Sequence, residues 1–163
     1  MYKRLISVFV LLSVIFSLFA CKKEKTYGHC ELVIGLDKDF YEEKNSDFDI
    51  TYTNGTYVVG ILRVSFDAAY AEGIPETLNA RQFGAFWLSE CERPSEILQY
   101  NGVDCAEYEE NVLGVDYYYL AAFYRSSYAY FVVLFGTQKK DKEAGRVKFL
   151  TYSTDIYFLE NYK

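Results

Sequence analysis

Residues 104–110 read DCAEYEE, so acids, a thiol and a phenol alternate along one short stretch. Read as a strand, it points Cys105, Glu107 and Glu109 to one face and Asp104, Tyr108 and Glu110 to the other. Two carboxylates on one face have the chemistry of a general acid and base for glycoside hydrolysis, or of a shared metal. The same pattern also solvates an edge strand. A second acidic group, Asp37 and Asp39 followed by Glu42, Glu43 and Asp47, offers oxygen ligands for Ca2+, but its spacing is not that of an EF-hand loop. His29 is the single histidine, and Ser–His–Asp or Cys–His chemistry needs an imidazole base. A zinc site would have to gather His29, Cys30, Cys91 and Cys105 without any of the tight ligand spacings. No Gly-rich phosphate loop, HExxH or CxxC is present. The sequence therefore assigns no catalytic residue, no metal and no cofactor. It leaves a hydrolase working through paired carboxylates as the alternative to a binding protein.

Cys91 and Cys105 would close a loop of about 15 residues, worth up to about 3 kcal/mol as a disulfide. Buried thiols are the other reading, since cysteine packs as a small hydrophobe. With Cys21 set apart, Cys30, Cys91 and Cys105 form an odd set that cannot all pair within the chain. Tyrosine is abundant, 17 residues beside 13 phenylalanines, and each phenol gives a rigid contact face with a hydrogen-bonding tip. Most of these rings fall in alternating runs, where cross-strand aromatic pairs stabilise a sheet. Tyr41, Tyr100 and Tyr128 read as loop residues and form the candidate binding surface. Trp87, the only tryptophan, reads as a core anchor or as a ligand platform.

The elements that must position these groups follow from periodicity. Residues 31–36 (ELVIGL) form a short strand, and DKDFYEEKNSD after it is loop-like. FDITYT alternates, with Phe48, Ile50 and Tyr52 on one face and Asp49, Thr51 and Thr53 on the other. Asn54-Gly55 between it and TYVVGILRVSF predicts a hairpin whose two turn positions take positive φ. FDAAYAEG gives one or two helical turns ended by Gly73. In NARQFGAFWLSEC, Ala80, Phe83, Phe86, Trp87 and Cys91 recur at helical spacing behind an Asn79/Gln82 capping box, and Pro94 stops the helix.

Asn101-Gly102 marks a second hairpin, and Ser126-Ser127 joins the runs VDYYYLAAFYR and YAYFVVLFGT. Both of these are apolar on two faces and so belong mid-sheet. The last helix is expected over QKKDKEAGRVKFLTYSTDI with Thr137 as N-cap and Val147, Leu150, Thr151 and Thr154 along one stripe. IYFLE extends or docks as a short strand. The sum is an α+β fold, an antiparallel β-sheet of about six or seven strands covered by helices.

The N-terminus carries its own signal. Lys3 and Arg4 precede residues 5–20, LISVFVLLSVIFSLFA, which hold no charge and end at Cys21. The order is that of a secretory signal peptide, and the run falls a little short of the roughly 20 residues that span a bilayer. Leu18, Ala20 and Cys21 resemble the lipobox of bacterial lipoproteins. The resemblance implies cleavage before Cys21, with diacylglycerol on its sulfur and usually an acyl chain on its amine; two or more chains hold a domain at the bilayer. An uncleaved anchor and ordinary secretion are the other readings. The domains expected are residues 1–20 as signal, 21–29 as lipidated tether and 30–163 as one domain.

Seventeen basic residues stand against 23 acidic ones. Removing Lys3 and Arg4 with the signal leaves 15 against 23, a net charge of −8. That balance excludes nucleic acid as a partner and broad electrostatic docking on anionic lipid. Lys22, Lys23 and Lys25 read as a solvated tether.

ELVIGLDKDF before a hairpin, then FDAAYAEGIPETLNARQFGAFW, a second hairpin, and AYFVVLFGT before a closing helix resemble the PsbP-like family. That family includes the extrinsic photosystem II protein, a Ran-binding import factor and many bacterial lipoproteins. The resemblance implies a sandwich fold and says little about activity, since fold alone does not give function. The reading is a membrane-anchored extracytoplasmic lipoprotein of the bacterial envelope, a non-catalytic binding or accessory domain for a protein or small ligand.

Overall fold

The computed structural model describes residues 22–26 (as backbone), 31–45, 47–92 and 95–159. A seven-stranded sheet runs in the order β3-β4-β5-β9-β8-β7-β6. Its strands are β3 (Tyr41–Glu43), β4 (Ile50–Thr53), β5 (Tyr57–Ser65), β6 (Ile97–Tyr100), β7 (Val103–Val112), β8 (Val115–Arg125) and β9 (Ala129–Gln138), every neighbour antiparallel. A smaller antiparallel sheet, β1-β2-β10, is built from β1 (Lys22–Thr26), β2 (Leu32–Asp37) and β10 (Ile156–Phe158). Three α-helices lie among the described residues: α1 (Phe66–Ala71), α2 (Ala80–Glu90) and α3 (Lys142–Thr154). The architecture is α+β, a large antiparallel sheet with helical cover. No helix among the described residues is long and apolar enough to cross a membrane.

The two faces of the large sheet carry separate cores. On one, Leu120, Ala122, Phe131, Val133 and Phe135 pack beneath α3 and the small sheet, with Phe149 and Tyr152 reaching down from α3. On the other, Ala121, Phe123, Tyr130 and Val132 pack against Phe83 and Leu88 of α2 and Ala69 of α1. β8 and β9 are buried from both sides, as their two-sided apolar pattern requires. The Asn79 capping box is formed in full: the Asn79 side chain accepts from Gln82 N, and the Gln82 side chain accepts from Asn79 N.

Several local expectations are corrected. Thr137 is no helix cap. It is the buried penultimate residue of β9, its hydroxyl donates to the Thr56 carbonyl at 3.0 Å, and α3 starts at Lys142 after a 3-10 turn. The buried stripe of α3 is Gly145, Phe149, Tyr152 and Ser153, while Val147 is 67% exposed, because the two large aromatics outbid valine and threonine for the core. β4 begins only at Ile50, so Phe48 lies before the strand and swings to the opposite face from Ile50 and Tyr52. In the first hairpin Gly55 takes φ +84° but Asn54 does not; its side-chain oxygen instead accepts from Thr56 N and Tyr57 N across a longer loop. Residues 22–26, expected within a tether, form β1 and pair with β2, Lys22 opposite Asp37. Pro94 and the tether residues 27–30 lie outside the described residues.

Register also fixes which loops share an end. Tyr57 pairs with Thr137 and Tyr117 with Gln138, so the β4–β5 loop, the β7–β8 turn and the start of α3 lie together. Asp39, just past β2, accepts from Asn54 at 3.0 Å, and Asp37 accepts from Lys148, whose ammonium lies over the Tyr57 ring. The end of β2 and the start of β1 are therefore at this same end.

Candidate functional site

Cross-strand partners share a face, so register builds the site row by row. Tyr108, Tyr119, Gly136 and Val58 form one row across β7, β8, β9 and β5. Toward the loop end the next row is Glu110, Tyr117 and Gln138; away from it the row is Ala121, Leu134 and Gly60. α2 covers this face only beyond the Ala121 row. What it leaves open is a groove of about 620 Å3.

Two glycines make its floor. A Cβ on Gly136 would lie 2.9 Å from Tyr119 Cε1, and one on Gly60 would lie 2.8 Å from the Phe48 ring. The Phe48 ring thus lies face-on against bare backbone and the Tyr119 ring meets it by one edge, the close approaches for which glycine stands in a strand. Tyr119 is stacked between Tyr108 at 5.3 Å and Tyr117 at 6.1 Å. Trp87 forms the wall at the end of α2, packed on Phe123 with 5.9 Å between centroids, and the Cys91 thiol stands next to it. The rim toward the loops is polar: Asn45, Asp47, Thr56, Glu110 and Gln138. Five aromatic rings around an apolar floor, edged by amides and carboxylates, offer stacking faces with hydrogen-bonding groups at their border. A second depression of about 600 Å3, between α2 and β6 around Arg81, Leu88 and Ile97, contains no ring.

Two carboxylates of DCAEYEE, Glu107 and Glu109, occupy the opposite face, while Glu110 is on the groove rim and Asp104 pairs with Arg81 of α2 at 3.3 Å. Glu107 accepts from Tyr118 at 2.9 Å, from Tyr100 at 3.0 Å and from Arg146 Nε at 3.0 Å through both oxygens. Burial pulls its carboxyl upward, but the bonds from Arg146, Tyr118 and Tyr100 outweigh this and hold it below the ordinary range. Burial and the Glu107 charge raise the Tyr118 phenol. Glu109 binds Lys139 and Lys142 at 2.7 and 2.9 Å. A general acid must carry a proton near neutrality, and Glu107 is held ionised by three donors. Among the described residues the buried carboxylate is Glu31, at the far end with Ser126 and Arg63.

The tyrosines chosen from sequence are not brought together. Tyr41 is exposed on β3, in the row of the groove floor but two strands beyond Val58. Tyr100 ends β6 on the other face, its hydroxyl 2.6 Å from Arg146, so it is a structural residue of the Glu107 network. Tyr128 is exposed in the β8–β9 turn, at the end away from the groove. Cys91 and Cys105 are free thiols. No disulfide joins them because Cys105 faces the α3 core while Cys91 caps α2 on the other side of the sheet. Burial pushes the Cys105 thiol up to about 12. Among the described residues no cluster of three His, Cys, Asp or Glu is placed to hold a metal ion. Asp37 is engaged by Lys148 and Tyr152 and Asp39 by Asn54. Cys21, His29 and Cys30 lie outside the described residues.

The residues missed were Phe48, Tyr108, Tyr117, Tyr119, Gly60 and Gly136. The available signal was a glycine inside each of two apolar strands.

No family model matches the chain, and no curated protein matches it. A crystal structure of a protein from Bacteroides thetaiotaomicron VPI-5482 is similar, with a TM-score of 0.58 and 16% identity over 85% of this chain and 49% of that one. At that identity the likeness is one of fold, and this chain spans about half the length of that protein.

Proposed function

We propose that the chain is a membrane-anchored, extracytoplasmic binding domain whose aromatic groove takes a sugar ring or short glycan. The observation that carries this reading is the pair of glycines under Tyr119 and Phe48, which lets both rings seat close to the strands and line an open groove. A pyranose ring has an apolar C–H face that stacks on aromatics and hydroxyls around its edge for amides and carboxylates. Asn45, Asp47, Glu110 and Gln138 supply that border. Anchoring rests on the lipobox-like Leu18–Cys21 sequence, and β1 begins at the residue after Cys21. A binding role is favoured over the hydrolase because Glu107 and Glu109 are neutralised by Arg146 and lysines on the face away from the groove.

Trp87 is the chain's single tryptophan and lines the groove, so its emission reports occupancy. Titration of the full chain in detergent with a panel of neutral and acidic oligosaccharides should give a saturable change for at least one member. Tyr119→Ala should abolish it. A panel without effect, or a response that survives Tyr119→Ala, refutes the glycan reading.

A further inference from the structure

The β7–β8 hairpin overhangs its neighbours. Gln138, the last residue of β9, pairs with Tyr117, whereas β7 and β8 continue through Asn111–Asp116 and Val112–Val115 before they turn. At the tip, Leu113 has φ +52° and Gly114 φ +85°, nearly the angles of Asn101 and Gly102 in the β6–β7 turn, +50° and +86°. Where that turn uses asparagine, which tolerates the left-handed region, this one uses leucine, which does not. Leu113 is also 100% exposed, flanked by Val112 at 39% and Val115 at 40%. Nothing within the fold rewards an apolar side chain there: the tip is held by Asn111, which accepts from Gly114 N and donates to Asp116.

We infer that this tip enters the headgroup layer of the membrane that holds the chain, with Leu113 as the inserted side chain. The inference rests on the anchoring half of the proposed function and is independent of what the groove binds. Three observations select a lipid surface as the occupant. The start of β1 lies at the end of the molecule from which the tip projects, since Lys22 pairs with Asp37 beside Lys148 and Tyr57, and Tyr57 pairs with Thr137. Cys21, whose lipid anchors the chain in the proposed function, directly precedes Lys22 in sequence, so the anchor brings the bilayer to this end. Three apolar side chains on a two-residue turn are also far too small for a stable protein interface, which needs about 800 Å2 per partner. They suit entry by about 5–10 Å into the headgroup boundary. Lys140 is exposed just after the end of β9, next to Lys139, which pairs with Glu109 at 2.7 Å. A groove opening at the same end would then face along the membrane surface.

The test uses the full chain reconstituted into phosphatidylethanolamine–phosphatidylglycerol vesicles, with Leu113→Trp and Tyr128→Trp compared against the parent, whose Trp87 supplies the background. Flotation of the vesicles reads anchoring by itself. The expected result is co-flotation of all three chains, with brominated lipids quenching the added Leu113→Trp emission and leaving that of Tyr128→Trp unchanged. Co-flotation with no selective quenching at 113 overturns the tip contact and leaves the anchoring intact. Failure to co-float overturns both. A blue shift of the Leu113→Trp emission in detergent that grows with protein concentration assigns the tip to a second copy of the chain and also overturns the proposal.

Discussion

Gly136→Ala separates the groove's architecture from ordinary strand chemistry. Gly136 has no positive φ, so alanine meets no backbone strain, and by removing glycine's unfolded-state freedom it would alone stabilise the strand by about 0.5–1 kcal/mol. Its Cβ, however, would sit 2.9 and 3.1 Å from Tyr119 Cε1 and Cδ1. Ordinary contact requires the ring to retreat by about half an ångström. Tyr119 is held in a stack by Tyr108 and Tyr117, so its retreat strains both, and overpacking of this kind costs about 1–3 kcal/mol. The net is a destabilisation of roughly 1 kcal/mol, about 3–5 °C in melting temperature for a domain of this size. Ligand affinity responds more steeply, because the ring that forms the stacking face no longer lies on the floor; a loss of about tenfold corresponds to only 1.4 kcal/mol. Thermal melts by circular dichroism and the Trp87 titration read the two quantities separately. A variant that melts a few degrees higher than the parent and binds unchanged would show that Gly136 is not a seat for Tyr119, and the reading of the groove would fall with it.

On the opposite face, Glu107 has a carboxyl held below its ordinary value of 4.5, so its stabilisation is complete above that pH and is lost as pH falls toward the lower folded value. Urea midpoints should therefore show parent and Glu107→Gln well apart at pH 6 and converging below about pH 4; a pH-independent gap would refute the linkage. In the native chain at pH 8, Cys91 should react with iodoacetamide while Cys105, fully buried and with its thiol raised to about 12, should not, and peptide mapping should find no bond between them. Leu113→Asn should raise the melting temperature, since relief of the left-handed leucine is worth about 1 kcal/mol; an unchanged or lower melt would mean the turn tolerates leucine without cost. Asn79→Ala removes the side-chain acceptor for Gln82 N, leaves the backbone N–H of residue 79 donating to the Gln82 side chain, and should lower stability by about 1 kcal/mol in the same melts.

What could be read from sequence was whatever depended on local periodicity and turn chemistry. Asn101-Gly102, the double-sided pattern of β8 and β9, and Asn79 with Gln82 each specify geometry within a few residues, and each element formed as expected. Errors arose where competition between distant residues decided. Thr137 has the chemistry of an N-cap, but pairing with Tyr118 and a bond to Thr56 hold it in β9. Val147 is apolar, but Phe149 and Tyr152 on the same helix bury larger surfaces. Tyr100 reads as a loop ring because nothing within its neighbourhood discloses Arg146, 46 residues away. The groove tyrosines were assigned to core packing for the same reason: alternation says which face Tyr117 and Tyr119 occupy, and is silent on whether a helix covers it.

That cover is a matter of lengths. α2 has 11 residues and β8 also has 11. At about 1.5 Å per residue the helix reaches roughly 16 Å. At about 3.3 Å per residue the strand reaches roughly 36 Å. A helix of this length protects less than half of the sheet face beneath it, and a strand apolar on both faces then exposes part of one. Along β8 the exposed part carries Tyr117 and Tyr119, where the covered part carries Ala121 and Phe123, and Gly136 of β9 lies against the Tyr119 ring. Glycine at 60 and 136 lets the Phe48 and Tyr119 rings settle onto the strands, where a Cβ would meet them at 2.8 and 2.9 Å. The seated rings line the groove without closing it, and the change to phenolic side chains along β8 marks where the core ends and the proposed binding surface begins.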